Sequence, residues 1–342
     1  MRNHEVTCRQ PLLDEHGGLR EPGWARSPVF DYDRGAIKAP RFRIKEWDYY
    51  LVMGQGFAGA FTISDDGYIG LQSVSLLTFG DQPWEHTETV LNAFPLGRIG
   101  LPSSSGTGDT VYEDKRLKMR FAHEGESRRI TCLFSDFTKG KAFSCDILLA
   151  PPPPPGDSMV IATPWDRKRV FYYNQKINCM RASGWMEYDG VRYEFRPETD
   201  FGTLDWGRGV WTYDNTWHWG SCSCDLGGKA FGFNIGYGFG NTAAATENVL
   251  FYDGRVHKLD DITFRIPPES YMDPWSFSSS DGRFEMTFRP VLDRAAKLDF
   301  KVLVSDQHQV FGKISGRAIL DDGTALTLTD VMCFAEKVHN RY

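Results

Sequence analysis

The segment most able to do chemistry runs from Asp200 to Gly220, DFGTLDWGRGVWTYDNTWHWG, and holds four tryptophans, Tyr213, His218, Arg208 and the carboxylates Asp200, Asp205 and Asp214. A carboxyl walled by indoles has its pKa raised and can donate a proton, whereas one beside an arginine stays ionised. On a strand, Trp217 and Trp219 share one face and His218 takes the other. Two neighbouring indoles form an apolar wall with N–H donors at its edge. Gly207 and Gly209, on either side of Arg208, point to a bend where backbone approaches something closely. These residues predict a site in which Asp205 gives or takes a proton and Arg208 orients it or polarises a substrate oxygen. His218 is a further acid–base candidate, and Trp206, Trp211, Tyr213, Trp217 and Trp219 bind the substrate. The same segment also suits an interdomain hinge, with indoles packing two bodies together and Asp205–Arg208 as a salt bridge. The two readings are compatible, because ligand pockets favour domain interfaces.

A second polar group, Asp81-Gln82-Pro83-Trp84-Glu85-His86, follows a strand-like run. On a loop at a barrel mouth, Trp84 and Glu85 would contact substrate, and the neighbouring His86 could join acid–base chemistry. Glu247-Asn248 occupies a loosely comparable place later in the chain. Gly54-Gln55-Gly56-Phe57-Ala58-Gly59 has dinucleotide-loop spacing, but a strand and a turn follow where that site needs a helix. Its glycines are read as easing a strongly bent strand. Cys222 and Cys224 with His218 would share a strand face, yet they lack a fourth ligand and the usual zinc spacing. They are read as buried thiols, and neither a metal nor another cofactor is expected.

The elements that position these residues are strands. Aromatic residues make up 14% of the chain, with 10 Trp and 34 Gly. Short β-like runs alternate with turn dipeptides such as Asp66-Gly67 and Asp189-Gly190, and amphipathic helical patterns are scarce. The length of 342 residues suits two domains. A net charge of -6, with basic residues scattered, argues against a nucleic-acid partner. No stretch reaches the ~18 apolar residues of a membrane helix. MRNHEVTCRQ has no apolar run of a secretory signal, and seven irregularly spaced cysteines do not form a disulfide framework. A cytoplasmic location is therefore expected. The sequence does not determine the oligomeric state.

An internal repeat sets the organisation. Residues 129–149 resemble 284–304. RASGWMEYDGVRYEF from Arg181 resembles KISGRAILDDGTALTL from Lys313, and SVSLLTFG at 73–80 resembles NIGYGFG at 234–240. The first copy reaches Leu204-Asp205-Trp206 where the second reaches Cys333-Phe334-Ala335-Glu336. The expected architecture is all-β, with two tandem lipocalin-like antiparallel barrel or sandwich halves related by duplication, since closure hides strand edges. An irregular arm spans 1–45, a first barrel 46–206, an interdomain segment 207–214 and a second barrel 215–342. Pro151 to Pro155 form a stiff spacer within the first copy.

DFGTLDWGRGVWTYDNTWHWGS, FDYDRGAIKAPRFRIKEWDYY near the start and TENVLFYDGRVHKL at 246–259 together resemble the bacterial domain of unknown function 2804 family, over nearly the whole chain. That family resembles in turn the two-barrel, lipocalin-like superfamily of hydroxyneurosporene and kievitone hydratases and fungal Diels–Alderases. The resemblance implies action on hydrophobic organic molecules without a redox cofactor. It supplies no catalytic residues to carry over. The combined expectation is a protein that binds a hydrophobic or aromatic small molecule. It would transform that molecule by hydration or dehydration, isomerisation or cyclisation, as a cofactor-independent hydratase, lyase or isomerase. A non-catalytic lipid or pigment carrier and a carbohydrate-acting protein are the alternatives.

Overall fold

In the computed structural model, which describes residues 2–299 and 304–341, the chain is all-β, and the only helical turns among the described residues are two short 3-10 turns, Arg34–Ala36 and Arg41–Arg43. Two large antiparallel sheets carry the fold, one of 13 strands and one of 9. A small two-stranded sheet pairs Gln10–Pro11 with Phe30–Asp31. Among the described residues no helix is long and apolar enough to cross a membrane.

Both large sheets are wound alike. In the first, Ile44–Gly54 is followed by hairpin-linked Phe57–Asp65, Ile69–Thr78 and Trp84–Ala93 on one side and bonded to the last strand, Phe201–Val210, on the other. From Phe201–Val210 the sheet runs back through Phe171–Tyr188, Lys141–Leu149, Ser127–Thr138 and Leu117–Glu124 to Thr110–Glu113. In the second, Asp214–Leu226 leads to Lys229–Tyr237, Val249–Tyr252 and Arg255–Lys258 and is bonded to Ala325–Arg341. The return path is Val304–Ile319, Phe284–Asp299, Trp275–Ser279 and Ile262–Arg265. In each sheet the first strand pairs with the last, which curls a meander on itself and leaves one open seam.

This topology corrects two of the three sequence matches. The Arg181 and Lys313 segments do correspond, each forming the turn from the penultimate strand into the strands that close the sheet. The hairpin at 129–149, however, corresponds to Trp275–Ser279 with Phe284–Asp299, not to 284–304. SVSLLTFG lies on a third strand and NIGYGFG on a second. Strand–turn–strand patterns recur so often that short matches slip by a strand.

The N-terminal arm contributes to the first sheet, because Gly23–Ala25 pairs with Met159–Pro164. Gln55 and Gly56 form a two-residue hairpin turn between paired Gly54 and Phe57, with Gly56 at φ +85°, while Gly54 and Gly59 lie in the paired strands on either side. Three buried apolar clusters result. One fills the first curled sheet, around Phe61, Phe134 and Trp206. Another fills the second sheet, around Phe233, Trp275 and Phe288. The third lies between the two sheets and draws Tyr49, Trp211, Trp219 and Phe334 from both.

Candidate functional site

A cavity of about 630 Å³ opens where the two sheets face each other. That volume lies in the range of small-molecule sites. Its first wall is a cross-strand row in the first sheet. Lys176 pairs with Asp205, Asp205 with Tyr49, Tyr49 with Thr62, Thr62 with Ser73 and Ser73 with Thr89, and all six side chains line the cavity. Its second wall is a row in the second sheet in which Arg294 pairs with Gln309, Gln309 with Glu336 and Glu336 with Trp219. Each row sets a carboxylate on the closing strand, between a ring from the opening strand and a polar residue from the penultimate strand. Asp205 and Glu336 are thus the same position written twice.

The two carboxyls have different surroundings. Asp205 Oδ2 lies 2.8 Å from Lys176 Nζ, and its Oδ1 accepts from Asn174 Nδ2 at 2.6 Å. Lys176 is 1% exposed, and its ammonium sits 3.8 Å above the Trp219 ring. Indole and carboxylate together offset the loss of water around a buried cation. Glu336 has no comparable cation. It accepts from Trp217 Nε1 and Gln309 Nε2, each at 2.9 Å, and is 4% exposed. Burial pushes its pKa up to about 7, against the weaker pull of those hydrogen bonds and of Arg294 and Lys176. One cavity therefore holds an ion-paired carboxylate and a carboxyl that keeps its proton to near-neutral pH, the arrangement that separates base from acid.

Aromatic rings close the rest. Trp211 meets Trp47 edge-on at 5.6 Å and Trp217 at 5.3 Å, while Tyr172 stacks on Phe239 at 4.9 Å. Behind this wall the Tyr172 hydroxyl donates to Glu247 at 3.2 Å, and burial raises the pKa of both groups. Trp219 Nε1 donates to Asn234 at 2.7 Å, which fixes the indole beneath Lys176. Lys45, lowered to about 8 by burial, lines the cavity while donating to the Asp66 carbonyl oxygen at 3.0 Å.

Among the residues singled out in sequence, Asp205, Trp211, Trp217, Trp219, Glu85 and His86 line this cavity, and His86 Nε2 lies 2.8 Å from the Phe137 carbonyl oxygen. Arg208 does not meet Asp205. Residues 201–210 form a strand with no bend, so positions three apart face opposite ways. The Arg208 guanidinium is fully buried inside the first barrel, 3.0 Å from Asp48 and 3.8 Å from Glu46, and it lies 4.0 Å over the Trp206 ring. Trp206 packs there against Tyr173 at 5.4 Å and belongs to the first core. The close approach inferred for the glycines is present without a bend: a Cβ on Gly207 would lie 2.0 Å from the Trp47 ring, and one on Gly209 2.4 Å from the Phe171 carbonyl oxygen.

His218 faces away from Trp217 and Trp219, stacks on Tyr237 at 4.5 Å, and has its pKa lowered to about 4 by burial and by Lys337. Tyr213 is 51% exposed. Trp84 and Glu85 begin the strand Trp84–Ala93 and so are not on a loop; Trp84 stacks on Tyr188 at 5.9 Å near the surface. Asp200 accepts from the Arg196 backbone and Thr199, and Asp214 pairs with His339, so both have structural partners. Among the described residues no group of three or more His, Cys, Asp or Glu could hold a metal ion.

No local motif in the sequence points to Lys176, Gln309 or Tyr49, and Glu336 stands out only as the end of a repeat. Their one signal was that repeat: the end of the second copy puts a carboxylate where the first copy has Asp205.

The sequence profile described as Domain of unknown function (DUF2804) matches residues 3–342. No curated protein matches the chain. Among solved structures, an AttH-type protein from Nitrosomonas europaea aligns over 91% of this chain and 98% of its own, at 14% identity and a TM-score of 0.50. Kievitone hydratase from Nectria haematococca aligns over 97% and 98%, at 9% identity and a TM-score of 0.48. At 14% identity the likeness to the AttH-type protein concerns the fold.

Proposed function

The chain belongs to the DUF2804 family, and from the geometry of its cavity we propose that it binds a hydrophobic, ring-bearing small molecule between the two barrels and transforms it by cofactor-free acid–base chemistry. The observation that carries this reading is the pair of duplicated carboxyls in one aromatic cavity, Asp205 ion-paired to Lys176 and Glu336 protonated to about pH 7. Glu336 is the proton donor and Asp205 the acceptor. In a hydration, the Glu336 proton goes to one carbon of a double bond, water oxygen bonds to the other, and the proton released by that water passes to Asp205. Solvent exchange then restores both groups. Run backwards, the steps remove water. If a second carbon site loses the proton in place of water addition, the same pair isomerises the double bond. Trp47, Trp211 and Trp217 hold the apolar frame and keep bulk water out, which strengthens the electrostatics inside.

The aromatic wall by itself would also serve a lipid or pigment carrier, and only the carboxyl pair separates the two readings. The test is incubation of apolar metabolite fractions with the protein in D₂O, followed by mass spectrometry. A product that gains deuterium with wild type but not with Glu336→Gln or Asp205→Asn is expected. A compound that binds tightly yet is recovered unlabelled with every protein would make this a carrier and refute the catalytic reading.

A further inference from the structure

Beyond the ion pair, the first wall continues as three hydroxyls. Thr62, Ser73 and Thr89 stand directly opposite one another on three adjacent strands and face the cavity. Neighbouring strands lie about 4.8 Å apart, so the three hydroxyls span about 10 Å and the row reaches about 14 Å outward from Tyr49. Among the described residues, none of the three hydroxyls is engaged by another protein group. Adjacent hydroxyls are engaged: Ser75 Oγ is 2.8 Å from Thr87 Oγ1 and accepts from Arg294 at 2.8 Å, and Ser64 donates to the Leu71 carbonyl oxygen at 3.1 Å.

Other cavity residues also carry buried polar atoms without partners. These are Trp211 Nε1, the Tyr49 hydroxyl, Gln309 Oε1 and Asn340 Oδ1, although Tyr49 lies beside Gln309. Buried polar groups are usually hydrogen-bonded, and several open ones around a single cavity imply a partner that is not protein. The row itself is uncharged. Lys45 is already directed at the Asp66 carbonyl oxygen and the Tyr68 ring, 4.0 Å away.

We propose that the molecule bound here is amphipathic, with an apolar ring system against Trp47, Trp211 and Trp217 and a hydroxyl-rich arm, of glycosyl or polyol type, along Thr62, Ser73 and Thr89. Neutral hydroxyls both donate and accept, so they match ligand hydroxyls, which do the same. This assignment rests on the reading of the cavity as the substrate site and adds to it a substrate class. It does not depend on proton transfer by Glu336.

The test is binding, followed by tryptophan fluorescence and calorimetry, with 2-naphthyl β-glucoside, 2-naphthol and 2-naphthyl sulfate as probes. The glucoside should bind wild type at least tenfold more tightly than naphthol or the sulfate. The triple variant Thr62→Val/Ser73→Ala/Thr89→Val should lose that advantage while binding naphthol as before. Naphthol binding unchanged in the triple variant also shows that the variant is folded. Three results would overturn the assignment: equal affinity of wild type for glucoside and naphthol, tighter binding of the sulfate, or an unchanged glucoside affinity in the triple variant. If the glucoside preference holds while no compound gains deuterium, the catalytic reading fails and the arm site stands.

Discussion

Replacing Glu336 by glutamine should make the protein more stable at alkaline pH than wild type. The folded chain holds the Glu336 proton to about pH 7, whereas the reference value is 4.5. Below about pH 4.5 the group is protonated in both states, and it costs nothing. As pH rises, the unfolded chain releases the proton and the folded chain keeps it, so stability falls until the folded group also ionises near 7. The shift from 4.5 to about 7, at about 1.36 kcal/mol per unit, corresponds to ~3 kcal/mol lost above pH 8. An amide cannot ionise, so this loss disappears in Glu336→Gln. Its added N–H group would face one of the two donors that now serve the carboxyl, Trp217 Nε1 and Gln309 Nε2. Rotating the Gln309 amide would present its Oε1, which has no partner, and would remove that conflict. Melting curves at pH 5 and pH 8.5 test this. The variant should gain roughly 5 °C on wild type between the two values. A difference in melting temperature that does not change with pH would refute the account of Glu336.

Other outcomes follow from the same geometry. Lys176→Met or Asp205→Leu alone should cost about 3–5 kcal/mol in urea unfolding, by stranding a buried charge, while the double variant recovers most of that loss; additive costs would show that the two do not act as a pair. Arg208→Met should destabilise by a similar amount through Glu46 and Asp48 yet leave the affinity of the folded protein for 2-naphthol unchanged, and a selective loss of affinity would place Arg208 in the site after all. Gly207→Ala should displace the Trp47 ring, costing about 1–3 kcal/mol, with a shifted tryptophan emission and weaker naphthol binding as readouts. Turnover should fall as pH rises through about 7, where Glu336 loses its proton, and a rate that climbs through that range would assign the proton donor elsewhere.

The parts of this site legible in the sequence were those governed by a period of two. Trp217 and Trp219 were placed on one face and His218 on the other, because alternation along a strand needs no tertiary information. The doubled meander was also legible, through turn dipeptides and the repeat after Arg181. Arg208 was misplaced because flanking glycines suggest a bend, and a bend would let residues three apart meet. In the strand Phe201–Val210 those glycines make room for the Trp47 ring and the Phe171 carbonyl, and Arg208 turns inward. Lys176 reaches Asp205 by cross-strand register, and Glu336 reaches the same cavity only because the two sheets face each other. Register and sheet-to-sheet contact are set by packing of whole sheets, and local residue patterns do not carry them. The protonated state of Glu336 is likewise a product of burial, which no short segment displays.

The position of a bound aromatic probe tests the central claim most directly. In a crystal structure with 2-naphthol, the ring should lie between Trp47, Trp211 and Trp217, with its oxygen within hydrogen-bonding reach of Glu336. Naphthol found inside either barrel, or only on the outer surface with the cavity filled by water, would contradict the account.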